Sequence, residues 1–289
     1  TTTQVASFST TDIAFLSTVQ MSGMSSVQIG SLTSLQVAAL QTGNILSLTT
    51  AQISGVTTTQ ISALSTTQIG GLTGTQLRAL TTTDFGELST TQLGALTPTA
   101  LSALDATQVG ALSTTQLRGL TTTQVAGLST TDIGELSSTQ IGSLATTQLA
   151  AMSSTNVSAL DATQVGALTT TQVGGLTTTT ITELSTTLLN SLTQAQFAGL
   201  TAAQIGALSL DGVTGLTTTQ VASLTTTKFG ALISTELGYL SAAQVAAIDN
   251  ANRFLQVNTL AFWRAATRPM TVSASARLFD FESSRGEGL

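Results

Sequence analysis

Two stretches of the chain are identical: residues 104–111 and 160–167 both read Leu-Asp-Ala-Thr-Gln-Val-Gly-Ala. Their carboxylates, Asp105 and Asp161, are the first residues to weigh for acid/base or metal chemistry. Asp is equally one of the best helix N-caps, and that role needs no ligand. The chain contains no His and no Cys, which removes the commonest general base and the usual transition-metal ligands. A Ser nucleophile would therefore lack its base. No Gly-rich stretch carries the lysine of a phosphate-binding loop, and calcium-binding β-roll repeats need clustered Asp and Gly at a nine-residue period. The sequence thus offers no catalytic, cofactor-binding or metal residue, and an enzyme is not expected. Arg78 and Arg118 fall on the small-residue side of the pattern, where solvation or pairing with a neighbouring subunit's acids is expected. The Thr runs suggest an ice-binding surface only remotely, because three consecutive Thr do not alternate as a Thr-x-Thr rank does.

Every position divisible by eight, from Phe8 to Ile248, is a large apolar residue, which makes about 31 octads without insertion or deletion. A second apolar column follows each anchor by five residues, from Ile13 to Val245. An unbroken short repeat of this kind specifies a solenoid, in which each unit buries its apolar side only against its neighbours. The residue after each anchor is Ser, Thr or Asp except at Gln41, Ala145 and Ile233, and Gln usually follows three positions later. That pair is a capping box, and the flanking apolar residues, such as Leu120 and Val125, are spaced for a hydrophobic staple. Pro98 lands at the first helical position, where its missing N–H costs nothing. Gly, Ala and Ser before each anchor permit a tight exit and close backbone approach.

The pattern therefore predicts an all-α solenoid of short helices, each too short to persist alone. Helix pairs stacked at about 9 Å would give a rod of about 140 Å. A β-solenoid is the alternative, since Thr-Thr-Thr-Gln-Val is rich in β-branched residues. Columns spaced alternately five and three apart do not share one face of an uninterrupted strand.

Residues 1–248 form the repeat region, and 249–289 a C-terminal cap or subunit junction. In the latter, Asp249 can cap a longer helix through Phe254, Phe262 and Trp263, and residues 271–282 alternate as a strand would, with Leu278 and Phe279 adding apolar surface. The tail carries five of the eight basic residues against four acids. The chain as a whole has a net charge of −6 with only 8% charged residues. It lacks the basic stripe that nucleic acid requires, and no apolar run is long enough to span a membrane. The start at Thr1, without Met or a signal-like segment, suggests a processed protein or a fragment. Glu87, Glu135 and Glu183 recur at a 48-residue step shared by Asp84 and Asp132. If six octads complete whole superhelical turns, these acids line one edge; the plainer reading, and the one preferred, is a sporadic solvated face.

The unit Leu-Thr-Thr-Thr-Gln-Val-Ala-Gly resembles the octad repeats, of the form Leu-Thr-x-x-Gln-Val/Ile-x-Ala, of secreted or surface-exposed bacterial structural and adhesin-like proteins. The similarity covers 1–248 and implies an extracellular or cell-surface structural role, with no cofactor and no functional residue carried over. The expected function is a structural subunit of a bacterial fibre or surface filament that assembles with itself head to tail. Phe254, Phe262, Trp263, Leu278 and Phe279 would form the junction with the first repeats of the next subunit. A monomeric adhesin stalk or repeat module binding a glycan or protein is the alternative.

Overall fold

The computed structural model describes residues 1–232 and 237–252, and among these it contains helices and no strand. The helices follow the octads from Thr2–Ala6 to Thr226–Phe229, each four to six residues long. Their starts are where the caps demand. At Thr121, Oγ1 accepts from the Gln124 N–H at 3.2 Å, while Gln124 Oε1 accepts from the Thr121 N–H at 2.8 Å. The same reciprocal pair recurs wherever Gln or Asp stands three residues after a Ser, Thr or Asp cap. At Ala145 only the return bond survives, the Ala145 N–H donating to Gln148 Oε1 at 2.8 Å. Pro98 occupies the first helical position after its cap, Thr97. The fold is the all-α repeat solenoid, and the strand reading of the Thr runs fails because each run supplies the cap and first turn of a helix.

Stacking relates every third helix. Ser34–Ala39 lies between Thr10–Ala14 and Thr58–Ala63, and the relation continues along the chain to Thr218–Ala222 against Ala242–Asn252. One superhelical turn is therefore three octads, and the solenoid has three sides instead of the two that helix pairs would give. Roughly ten turns at about 9 Å each make a body about 90 Å long, shorter than the paired-helix expectation. Both apolar columns point inward. Ile13, Leu77, Phe85 and Val125 of the second column are fully buried, and the anchors from Leu32 onward are nearly so. No isolated octad could bury either column; the turn above and the turn below complete the enclosure.

Small residues do half of what their position suggested. Helices exit through right-handed or extended backbone, as at Gly127 (φ −85°, ψ −7°) and Leu120 (φ −66°, ψ 141°). No described glycine adopts a left-handed cap. Close approach between turns is the stronger reason for them. A Cβ on Gly70 would lie 2.6 Å from the Ala95 carbonyl oxygen, and one on Gly206 2.7 Å from that of Ala231. Each pair joins the end of one helix to the end of the helix one turn later.

The last described helix begins at Ala242 and runs without a break to Asn252. Asp249 thus lies inside a helix and does not cap a new one, because the Ser241 and Gln244 box upstream has already opened it. Phe254, Phe262, Trp263, Leu278 and Phe279, and the strand expected over 271–282, lie outside the described residues.

Candidate functional site

The residue that joins the turns is the same Gln that completes each capping box. Its Oε1 serves its own helix, and its Nε2 reaches back to the preceding turn. Gln124 Nε2 donates to the carbonyl oxygens of Leu93 at 2.8 Å and Leu96 at 2.7 Å. Gln60 does so to Ile29 at 3.0 Å and Leu32 at 2.6 Å, and Gln204 to Val173 at 3.1 Å and Leu176 at 2.7 Å. These carbonyls belong to the second apolar column and the anchor at a helix end; the first also accepts the anchor's own N–H, as Leu93 O does from Leu96 at 3.1 Å, and the anchor carbonyl has the carboxamide as its donor. One buried carboxamide therefore satisfies the start of one helix and the end of another. The capping half of this role is readable from sequence. The second half depends on three octads per turn, for which the only prior signal was the 48-residue recurrence of acids.

Departures from Gln alter this contact in graded ways. Asn44 and Asn156 still reach one carbonyl, of Leu16 and Leu128, at 2.8 Å. Asp84 and Asp132 are buried and accept from their own caps, Thr81 and Ser129, but as carboxylates they present no donor to the turn before. Lys228 sends Nζ to the Ala198 carbonyl. Ala100, Thr180, Leu188 and Gly212 make no such link.

A second set of turn-to-turn contacts runs from the end of one helix to the carbonyl 25 residues on. Arg118 Nε donates to Ser143 O at 2.7 Å, Thr182 Oγ1 to Ala207 O at 2.7 Å, and Asn190 Nδ2 to Gly215 O at 3.1 Å. Arg78 Nε makes the same contact with Ala103 O. The two arginines are thus anchored to backbone and not simply solvated.

The carboxylates that could have suggested chemistry are structural. Asp105 Oδ1 accepts from the Gln108 N–H at 2.8 Å, and Asp161 Oδ1 from the Gln164 N–H at 2.7 Å. Among the described residues no group of three or more His, Cys, Asp or Glu could hold a metal ion. Asp12 completes the capping box of an exposed helix whose cap is Ser9. The Ser9 hydroxyl, at 2.7 Å, and then the Ser9 N–H, at 2.9 Å, hold its carboxyl below the ordinary value. Glu87, Glu135 and Glu183 end helices that lie two turns apart in one stacked column. They form the exposed edge that a whole number of turns per six octads requires.

The first turn is different from the rest. Gln4, Asp12, Gln20 and Gln28 make their cap contacts, and the first link to an earlier turn is that of Gln36, to Phe8 O at 2.6 Å. Phe8 is 44% exposed, and Leu16 and Met24 are only partly buried. Val19, Val27 and Leu35 stand 68–78% exposed at a position where later helices carry Thr. They come from three successive helices, so one faces outward on each side, and Phe15 adds to the same collar. No helix among the described residues is long and apolar enough to cross a membrane.

No curated protein matches the chain. A family model does: the ALTTAQ repeat matches residues 5–42, 37–74, 85–121, 114–146 and 141–178, which together span more than half of the sequence. In these segments the Leu-Thr-Thr and Gln positions of the repeat are the anchor, cap and turn-joining residues described above. The chain belongs to the ALTTAQ repeat family.

Proposed function

We propose that this chain is a structural subunit of an extracellular bacterial fibre or surface filament, assembling end to end with copies of itself. The observation that carries the reading is the self-complementarity of the turn. Each turn presents donors and apolar anchors on one side and carbonyls and apolar side chains on the other, so any exposed turn is a template for another. In the described residues the donor side is open at Gln4, Gln20 and Gln28, beside Phe8, Leu16 and Met24. Whatever precedes Thr1 in a longer chain, this is the surface by which a further octad turn is received. Unlike ends that meet head to tail do not close, and they generate filaments. A surface with 8% charged residues opposes such association only weakly.

Residues 249–289 of one subunit, with Phe254, Phe262, Trp263, Leu278 and Phe279, would cover the first repeats of the next. Negative-stain microscopy and sedimentation of the 289-residue chain test the reading. Filaments should form, and Phe8→Glu, or deletion of 253–289 so as to spare the helix ending at Asn252, should leave helical monomers of about 90 Å. Filaments that persist in both variants would refute this junction. A chain monomeric at high concentration would instead be a stalk, the reading favoured by the hydroxyl-covered sides of the solenoid. Placement at the cell surface is checked by protease shaving of intact producing cells.

A further inference from the structure

We propose that the groove beside Arg118 is a binding site for an anionic saccharide, a reading independent of filament assembly. The groove has a volume of about 450 Å³ and lies between helices Thr114–Gly119 and Ser138–Ser143 on one side of the solenoid. Thr114, Thr115, Ser138, Thr139, Ser143 and Arg118 line it. The guanidinium is held by one edge, Nε donating to the Ser143 carbonyl at 2.7 Å. That contact leaves both terminal nitrogens for a carboxylate or sulfate, which the arginine fork engages through two parallel hydrogen bonds. The Ser143 hydroxyl donates to Gln140 O at 2.7 Å, so it offers a ligand its acceptor lone pairs. The four remaining hydroxyls can each donate or accept. A positive fork among five hydroxyls, with Gly142 and the small Ala167 as the remaining lining and no aromatic side chain, suits a polyhydroxylated molecule bearing one anionic group better than an apolar ligand.

The chain contains its own control. Arg78 occupies the same position in its octad and makes the same contact, with the Ala103 carbonyl. Around it Gly74 replaces Thr114, Pro98 replaces Ser138, Ala103 replaces Ser143, Ser102 replaces Gly142 and Gly127 replaces Ala167, while Thr75 and Thr99 are retained. The charge is the same, three of the five hydroxyls are gone, and one is gained at Ser102. The cluster at Arg118 is therefore a local elaboration of the repeat and not a consequence of placing any arginine there.

The test is calorimetric titration of the full chain with a uronic-acid tetrasaccharide, with the same tetrasaccharide reduced to its neutral alcohol, and with a sulfated saccharide of equal length. The charged ligands should bind with a Kd of about 1 mM or below, and the neutral one should not. Equal binding of carboxylate and sulfate defines a general anion site, and preference for the uronate a carboxylate site. Arg118→Ala should weaken binding at least tenfold, Arg118→Lys less, and Arg78→Ala not at all. Should Arg118→Ala unfold, the double variant Ser138→Pro with Ser143→Ala removes two of the three hydroxyls that Arg78 lacks, places Pro where Pro98 is already tolerated, and should weaken binding at least tenfold with the charge intact. No saturable binding, equal binding of the neutral tetrasaccharide, or equal losses from Arg118→Ala and Arg78→Ala would overturn the proposal.

Discussion

Replacing Gln124 with Ala should damage two turns at once. Gln124 is 1% exposed and makes contacts of three kinds: it accepts from the Thr121 N–H at 2.8 Å and from its hydroxyl at 3.2 Å, and it donates to Leu93 O and Leu96 O. The substitution orphans the Thr121 N–H and the Leu96 carbonyl, while the Leu93 carbonyl keeps the Leu96 N–H at 3.1 Å. An orphaned buried group costs about 1–3 kcal/mol, and partial relaxation around a side chain this small puts the expected loss at about 3–5 kcal/mol, at the high end for a single substitution. Gln4→Ala is the matched control. It removes the same cap contacts from an exposed helix whose Gln makes no link to another turn among the described residues, and in the 289-residue chain should cost less than about 1 kcal/mol. Urea unfolding followed by far-ultraviolet circular dichroism measures the difference. In an array with nearest-neighbour coupling, a break at the middle should also split the transition into two steps. Amide exchange should then accelerate at Thr121 and in the helices containing Leu93 and Val125. Equal losses for Gln4→Ala and Gln124→Ala, or an unchanged single transition, would falsify the view that the carboxamide joins the turns.

Further outcomes follow from other positions. Gly70→Ala should destabilise, because its Cβ would sit 2.6 Å from the Ala95 carbonyl; Gly86→Ala, where nothing lies within 4 Å, should stabilise by about 1 kcal/mol through helix propensity. Paired thermal melts decide it, and two changes of the same sign would contradict the close-approach account. Asp84→Gln should supply the missing donor to the Val56 carbonyl and a second one to that of Ile53, and raise stability by about 1–2 kcal/mol, read as a higher urea midpoint with an unchanged slope. Asp12, whose folded-state pKa is lowered by Ser9, contributes stability that is present above its unfolded value of about 3.9 and lost as pH falls through the lower folded value. Exchange at helix Thr10–Ala14 should therefore quicken on acidification below that range, and Asp12→Asn should remove this dependence.

How far the fold could be read in advance is best seen at single residues. Thr121, Gln124, Leu120 and Val125 specify a helix start by local chemistry alone, and so do Pro98 and the caps Asp105 and Asp161. Local chemistry is visible in one sequence because its partners are three to five residues apart. The number of helices per turn is not of that kind. It is set by whether Gln124 reaches Leu96 and by whether Gly70 admits Ala95, contacts whose partners lie 25–31 residues away in a chain where every octad looks alike. Degeneracy of the repeat hides the register. Only its imperfections, such as the acids at Glu87, Glu135 and Glu183, carry a trace of it. The Arg118 groove was hidden for the same reason: its hydroxyls come from two helices one turn apart, and Arg78 resembles Arg118 until those neighbours are known.

The imperfections also bear on where the solenoid holds together least. Between Gln36 and Gln172 the turn-joining slot is interrupted at Asp84, Ala100 and Asp132. From residue 180 to 232 it fails at Thr180, Leu188 and Gly212, and Lys228 substitutes a single cationic donor for the carboxamide. Burial hardly changes across this boundary, since Ile181, Leu189 and Val213 are as enclosed as their counterparts upstream. The two regions thus differ in polar links between turns and not in apolar packing. In a quasi-one-dimensional array the local opening free energy follows the interface terms on either side of a unit. Amide exchange should consequently be slower in the run from Gln108 to Gln124, where consecutive slots are filled, than in helices Thr178–Glu183, Thr186–Ser191 and Leu210–Thr214. Restoring the slot with Leu188→Gln should slow exchange in helix Thr186–Ser191 and in the helix ending at Ser158, whose Leu160 carbonyl would regain a donor. Uniform exchange across both regions would mean that apolar burial alone sets cohesion and that the carboxamides serve only their own helix starts.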